Sequence, residues 1–346
     1  MNGDDFYMKR CLNLAKLGLG STSPNPMVGS IIVDNNNLII AEGYHQKNGE
    51  NHAEVNAINA VKNKKQLNNS TLYVSLEPCS HTGKTPPCVD LIIKHKIPRV
   101  IIGCIDSFSK VNGNGISALK KAGVIVKVGV LENECLELNK RFFTFHNKKR
   151  PYIILKWAQT KDLFIDLNRN GNSKGINWIT QPETKSLTHK WRSEEDAILV
   201  GSNTILIDNP SLTTRDYAGK NPHRYIIDPS LKIDPSFNVF KDEFPLTVFN
   251  SLKNDKEGNI VYIKINPKTE LEEIINYLYT QQVQSIIIEG GAFTLNQFIK
   301  IDLWDEARVL TGNNYFNSGL NAPKLKNKPA SSTNLGEDQL TIYYKK

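Results

Sequence analysis

His52-Ala-Glu-Val-Asn-Ala57, followed by Glu77-Pro-Cys-Ser-His-Thr-Gly-Lys-Thr-Pro-Pro-Cys88, decides how the first half of this chain is read. One imidazole and two thiolates fill three of the four tetrahedral positions of a zinc ion and leave the fourth open. A carboxylate two residues after the histidine can stand beside such an ion without ligating it, which suits a general acid/base. The expected ligands are therefore His52, Cys79 and Cys88, with Glu54 as the proton carrier. A satisfied structural histidine is the alternative for His52 taken alone, and the full constellation argues against it. Val55, Ile58 and Val61 share one face of a helix expected from His52 to about Lys62. Thr71–Leu76 reads as a strand ending at Glu77-Pro78, and Pro87 suits the first turn of a second helix. His52 and Cys88 would then each open a helix, where backbone N–H groups favour a thiolate.

Outward from this stretch, Phe6, Cys11, Leu14 and Leu17 mark a helix over about Asp5–Leu17. Ser30–Val33 and Leu38–Tyr44 flank Asp34-Asn-Asn-Asn37 as a hairpin, and Arg99–Ile105 and Val124–Val130 read as strands around a helix near Ile116–Ala122. Polar, basic Phe145–Arg150 reads as a linker. From Pro151 a second βα alternation begins with Tyr152–Lys156 and continues through Ala197–Val200, Arg224–Ile227, Leu246–Phe249, Ile260–Ile263, Ser285–Ile288 and Glu306–Leu310 to Leu340–Tyr344. Helices fall at Glu183–Trp191 and Leu271–Gln281. With 346 residues and no internal repeat, the expected organisation is two α/β domains, residues 1–146 and 151–346.

The net charge of +8 raises nucleic acid as a partner. Lys and Asn are spread along the whole chain, however, and no arginine-rich stripe with interleaved aromatics marks a single-strand track. Basic charge attracts phosphorylated small molecules equally well. No apolar run reaches the length of a membrane span, and Met-Asn-Gly-Asp-Asp at the start lacks signal-peptide character, so a cytoplasmic protein with neither nucleic-acid nor membrane partner is expected. The five scattered cysteines do not form a disulfide framework, and Cys11, Cys104 and Cys135 read as core residues.

His-x-Glu followed by Pro-Cys and a second Cys is the signature of zinc-dependent nucleobase deaminases, in which the usual spacing is Cys-x-x-Cys. Here a longer insertion separates Cys79 from Cys88. That insertion, together with Ser23-Pro-Asn-Pro-Met-Val-Gly29, Gly43-Tyr-His45, Pro151–Lys156, Trp178-Ile-Thr180, Asp208-Asn-Pro210, Leu212-Thr213, Arg215 and Ile288-Glu-Gly-Gly291, resembles the bifunctional riboflavin-biosynthesis deaminase-reductases, the RibD family. The matches run in the family's order over nearly the whole chain. The resemblance implies a cytidine-deaminase-like αβα sandwich followed by a dihydrofolate-reductase-like domain. It implies hydrolytic deamination of a diaminopyrimidinone bearing a phosphoribosylamino arm, then reduction of the ribosyl group to ribityl phosphate. It further implies one Zn2+ in the deaminase domain, NADPH in the reductase domain, and a homodimer formed through the latter.

Residue by residue, the resemblance assigns substrate contacts to Asn25, His81, Lys84 and Asp106 in the first domain and to Arg192, Leu212, Arg215 and Glu289 in the second. Cofactor contacts fall on Ala158, Trp178, Thr204, Asp208 and the run Gly291, Ala292, Phe293, Thr294, Leu295, Asn296 and Gln297. A surface turn is the competing reading for Asn25, a mobile basic loop for His81 and Lys84, and surface ion pairing for the arginines. No Gly-x-Gly-x-x-Gly follows the first strand of the second domain, which argues against an ordinary dinucleotide fold. Lys156 and Asp162 are further candidates there. Three stretches depart from the family pattern. Asp106-Ser-Phe-Ser109 replaces Asp-Pro-Asn-Pro, Thr160-Lys-Asp-Leu-Phe164 lacks the glycine of a Ser-Leu-Asp-Gly-Arg-like turn, and Asn168–Asn177 replaces a short Gly-x-Ser. Two rival readings follow: a nucleic-acid-editing deaminase, which predicts the short Cys-x-x-Cys, and a deaminase whose second domain only binds nucleotide or scaffolds a dimer.

Overall fold

A computed structural model describes residues 3–80, 86–106, 113–169 and 174–345. The chain divides into two compact units, Met1–Lys149 and Arg150–Lys346.

Unit 1 is built on five strands, β1 (Gly29–Val33), β2 (Ile39–Tyr44), β3 (Thr71–Leu76), β4 (Arg99–Cys104) and β5 (Ile125–Val128), in the order β2-β1-β3-β4-β5. β1 pairs antiparallel with β2 and β3, whereas β3, β4 and β5 run parallel. Six helices cover the sheet: α1 (Gly3–Ala15), α2 (Ala53–Ala60), α3 (Cys88–Lys94), α4 (Asn114–Lys121), α5 (Glu132–Leu138) and α6 (Lys140–Lys148). Alternate residues of each strand face opposite cores. Ile32, Leu72, Val74, Val100 and Ile102 pack with Ala57, Ile58, Val89, Ile92 and Leu119 of α2, α3 and α4. Ile31, Val33, Tyr73 and Ile101 pack with Met8, Cys11, Leu12, Cys135, Phe142 and Phe143 of α1, α5 and α6. This is the αβα sandwich expected from the resemblance. Cys11, Cys104 and Cys135 are buried and free.

Phe145–Lys148, expected as linker, instead form the last turn of α6, and Phe142, Phe143 and Phe145 are all buried. Burial of the aromatics outweighs the polar composition that suggested a loop.

Gly43 sets how closely α2 approaches the sheet. A Cβ at that position would stand 2.4 Å from the Ala57 nitrogen and 2.6 Å from the Ala53 oxygen. The helix that carries Glu54 thus rests on β2 at backbone distance. Gly43→Ala is expected to cost about 1–3 kcal/mol as an overpacking change. Urea denaturation of the variant checks this; a wild-type midpoint would refute the contact.

Unit 2 is organised around a ten-stranded sheet of order β11-β12-β10-β9-β8-β13-β6-β14-β17-β16. Its strands are β6 (Tyr152–Gln159), β8 (Ala197–Gly201), β9 (His223–Ile227), β10 (Leu246–Asn250), β11 (Asp255–Glu257), β12 (Ile260–Lys264), β13 (Ser285–Glu289), β14 (Glu306–Thr311), β16 (Ser331–Leu335) and β17 (Asp338–Tyr344). β12 through β14 run parallel, and β11, β17 and β16 join antiparallel at the edges. α9 (Glu270–Thr280) and α10 (Ala292–Lys300) pack on one face through Ile274, Leu278, Leu295 and Phe298. α7 (Pro182–Glu194) and α8 (Ser202–Asp208) cover the other through Trp191 and Ile205. Burial on both faces explains why Ser285-Ile-Ile-Ile288 reads as a continuous apolar run rather than an alternation. Two short strands, β7 (Phe164–Asp166) and β15 (Leu320–Asn321), make a separate ribbon too brief for a sequence pattern to reveal.

The departure at Thr160–Phe164 does not abolish the turn. Leu163 takes the left-handed conformation, φ 66°, that a glycine would fill. Thr160 Oγ1 donates to Asp162 Oδ1 at 2.6 Å and accepts from the Phe164 N–H at 3.0 Å. Asp162 in turn receives the N–H groups of Phe316 and Asn317. Asp162 is thereby placed as a turn-holding residue. Because Leu163 is 50 % exposed, little packing offsets its backbone strain. Leu163→Gly is expected to raise stability by up to about 1 kcal/mol, read as a higher denaturant midpoint; a lower midpoint would contradict this.

Candidate active sites

Three chain segments converge in unit 1. His52 is the N-cap of α2, Cys79 follows the end of β3, and Cys88 opens α3 behind its Pro87 N-cap. His52 Nδ1 lies 3.5 Å from Cys79 Sγ and 3.3 Å from Cys88 Sγ, and the three ligand atoms lie within 4.8 Å of one another. Two donors held 2.0–2.3 Å from a common tetrahedral zinc stand about 3.6 Å apart. The side chains therefore already sit near the corners of such a polyhedron, and the nitrogen–sulfur donor set suits zinc. The Cys88 N–H donates to Cys79 Sγ at 3.3 Å. The Cys88 thiol lowers the Cys79 thiol to about 4; burial opposes this and His52 adds to it, which favours a thiolate at the ligand position. Glu54, one residue into α2, is 3 % exposed. Burial, with Cys79 beside it, pushes its carboxyl up to about 7.

A side-chain relay orients Asn25. The His45 ring Nδ1 lies 3.0 Å from the Asn51 carbonyl, so Nδ1 carries the proton and Nε2 accepts from Asn25 Nδ2 at 3.1 Å. The amide is thus fixed with its oxygen outside this link. The same loop is pinned by Asn139, whose side chain bonds both the N–H and the C=O of Met27. Asp106 is buried beyond the end of β4, with its N–H on Glu77 Oε2. Glu77 also accepts from the N–H groups of Gly113, Gly115 and Ile116. The sequence reading treated Glu77 only as the strand end before Pro78, because its four partners lie 29 to 39 residues away. His81 and Lys84 lie outside the described residues.

In unit 2 a cavity of about 600 Å³ opens where β6, β8 and β13 end. Carboxyl ends of strands are where open α/β sheets bind ligands. Ala158, Trp178, Thr204, Asp208, Gly291, Ala292, Phe293, Thr294 and Gln297 line it, as do Lys156, Arg192, Leu212, Arg215 and Glu289. Leu295 and Asn296 do not. Leu295 turns into the core and Asn296 is exposed, since consecutive residues of α10 cannot all face one side at 3.6 residues per turn. Two glycine turns bring the β8–α8 and β13–α10 connections together. A Cβ on Gly201 would meet Thr294 Oγ1 at 2.6 Å, and the Gly291 N–H donates to Thr204 Oγ1 at 2.9 Å. Two helix N-termini thereby face one space, an arrangement suited to a pyrophosphate.

Glu289 is the electrostatic centre of the cavity. Arg192 grips it with two bonds, Nε to Oε1 at 3.0 Å and Nη2 to Oε2 at 2.7 Å, and Lys156 Nζ lies 3.9 Å from Oε2. Burial alone would raise this carboxyl, but Arg192 and Lys156 outweigh it and hold it at about 2. Burial lowers Lys156, with Glu289 opposing the shift. The Arg192 fork, assigned to the substrate by the resemblance, is thus committed to Glu289, with Nη1 on the Thr213 carbonyl. The Arg215 guanidinium has no hydrogen-bond partner among the described residues. Asp208 is pushed up to about 6 by burial, with Asp166 nearby adding to it. Asp166 receives two bonds from Arg169 and one from Asn177. Arg169, Asn177, Lys185 and His189 line the cavity although no motif pointed to them. The spacing Lys185, His189, Arg192 along one helix face was the available signal.

Residues 1–104 match the cytidine and deoxycytidylate deaminase zinc-binding region, and residues 151–339 match the RibD C-terminal domain. The riboflavin biosynthesis protein RibD of Aquifex aeolicus is 38 % identical over 99 % of this chain and 98 % of its own length. Its Escherichia coli counterpart is 33 % identical over 88 % of this chain and 86 % of its own. The crystal structure of a Thermotoga maritima diaminohydroxyphosphoribosylaminopyrimidine deaminase/5-amino-6-(5-phosphoribosylamino)uracil reductase superposes with a TM-score of 0.89 at 35 % identity, covering 99 % of this chain and 98 % of that one. With both units matched in order and over their length, the chain belongs to the RibD family of bifunctional riboflavin-biosynthesis deaminase-reductases.

Proposed function

We propose that unit 1 hydrolytically deaminates 2,5-diamino-6-(5-phosphoribosylamino)pyrimidin-4(3H)-one and that unit 2 reduces the ribosyl group of the product with NADPH. The placement of His52 Nδ1 between the two cysteine sulfurs, beside buried Glu54, carries the first half. Zinc held by His52, Cys79 and Cys88 would supply a water acidified towards neutrality. Glu54 would carry a proton from the attacking water to the departing amino group, so that one water is consumed and one ammonia released. Its buried position lets it be neutral or charged near neutral pH, as a two-way proton carrier requires. Asn25, oriented by His45, and Asp106 fix the pyrimidine ring, and His81 and Lys84 would meet the phosphate.

In unit 2 Gly291–Thr294, Gln297 and Thr204 take the cofactor phosphates, Ala158, Trp178 and Asp208 complete its contacts, and Arg192, Leu212, Arg215 and Glu289 hold the substrate. Hydride transfer asks chiefly for positioning, which the fixed Arg192–Glu289–Lys156 cluster supplies. The enzyme would work in the cytoplasm as a homodimer joined through unit 2; no helix among the described residues is long and apolar enough to cross a membrane.

Ammonia release and NADPH oxidation, followed separately in one preparation, test the reading. Ammonia from the diamino substrate, with NADPH oxidation dependent on the deaminated product, is the expected result. Ammonia without NADPH oxidation would reduce unit 2 to a nucleotide-binding or scaffolding domain, and no ammonia from a zinc-loaded preparation would overturn the first half.

A further inference from the structure

The loop after α8 carries Arg215 but has no sheet ladder or helix of its own between Asn209 and Pro222. Side chains of α7 hold it instead. Arg192 Nη1 donates to the Thr213 carbonyl at 3.2 Å, and two residues on the Arg215 N–H donates to His189 Nδ1 at 3.3 Å. A backbone N–H can only donate, so His189 Nδ1 accepts and the ring proton sits on Nε2. Nε2 lies 3.3 Å from Asp216 Oδ2, and the same oxygen pairs with Lys185 Nζ at 3.0 Å. Both nitrogens of this buried ring are thus engaged on consecutive residues of one loop. Burial, together with Arg192 and Arg215, lowers the ring to about 4. A neutral ring is what the bridge needs, because an imidazolium would set a second donor against the Arg215 N–H.

We propose that His189 is a positioning residue for recognition of the substrate phosphate: it braces the loop so that the Arg215 guanidinium, without a hydrogen-bond partner among the described residues, stands at the cavity beside Arg192. This deepens the reading of unit 2 as a reductase of a phosphorylated substrate and rests on it. His189 does not touch the reacting atoms. It acts through Arg215, so its loss weakens the grip on the phosphate more than it slows hydride transfer.

The experiment compares KM and kcat for the deaminated phosphorylated substrate and for its dephosphorylated form, with NADPH saturating, in the full chain. His189→Phe keeps the ring shape and removes both polar contacts. His189→Gln offers an amide towards Asp216 but no acceptor in the Nδ1 position, and His189→Asn restores that acceptor. His189→Phe and His189→Gln are expected to raise KM for the phosphorylated substrate about tenfold relative to the dephosphorylated one, with a smaller change in kcat. His189→Asn is expected to recover most of that discrimination. Should His189→Phe fail to fold, the Gln and Asn pair carries the same comparison. Equal KM changes for both substrates, or an Asn variant no better than the Gln one, would overturn the brace. A wild-type chain that oxidises no NADPH would overturn the reductase reading beneath it, which the wild-type measurement alone identifies.

Discussion

Glu54→Gln is expected to lower deamination by roughly 10²- to 10⁴-fold, the range that a positioned general acid/base contributes. The amide nearly matches the carboxylate in size, so α2 and its packing on β2 should survive. What disappears is a group that can take up and give back a proton from a buried position. The donor set is kept, because His52, Cys79 and Cys88 supply the ligand atoms and Glu54 is not among them. Metal content should therefore match the wild type, and NADPH oxidation should persist when deaminated substrate is supplied. Ammonia release and metal analysis on one sample decide the matter: turnover within tenfold of wild type in a zinc-replete variant would remove Glu54 from the reaction.

Glu289→Gln is expected to destabilise unit 2 by about 3–5 kcal/mol near neutral pH, because Arg192 and Lys156 are left buried without a counter-charge. The sign with pH follows from the carboxyl itself. Its folded value, about 2, lies below the ordinary 4.5, so the ionised form favours the folded state. That contribution is complete above about pH 4.5 and is lost as pH falls from there through 2. A shift of this size is worth about 3 kcal/mol, in line with the cost of breaking the pair. Denaturant midpoints at several pH values should show the wild type falling towards the variant on acidification. A gap that keeps its size between pH 7 and pH 3 would mean that charge is not what Glu289 contributes. Loss of reductase activity in the same variant is expected from the freed Arg192 and Lys156.

The parts of these sites that were legible in the sequence share a physical character. His52, Glu54, Cys79 and Cys88 lie in short motifs at the ends of elements, and local helix and strand signals suffice to bring them together. Thr71–Leu76 and its neighbours were readable because strands buried on both sides are almost wholly apolar. The commitment of Arg192 to Glu289 was not readable, since 97 residues and a full βα circuit separate them. The same holds for Glu77 and for Asn139 on Met27, whose partners are backbone groups and carry no side-chain signature. Phe145 was misplaced in a linker because lysines around it masked an apolar helix face. Leu163 shows the opposite case, a turn whose geometry outlasts the loss of the residue type that best fits it.

The four N–H groups gathered by Glu77 bear on how such an enzyme can change over evolution. One oxygen of that carboxylate accepts the N–H groups of both Asp106 and Gly113, which stand seven positions apart in the sequence. With both positions held on one oxygen, a change in the number of residues between them costs little more than loop-closure entropy, about 0.6 kcal/mol per doubling of length. The length of sequence at this point can therefore vary while β4 and α4 keep their places.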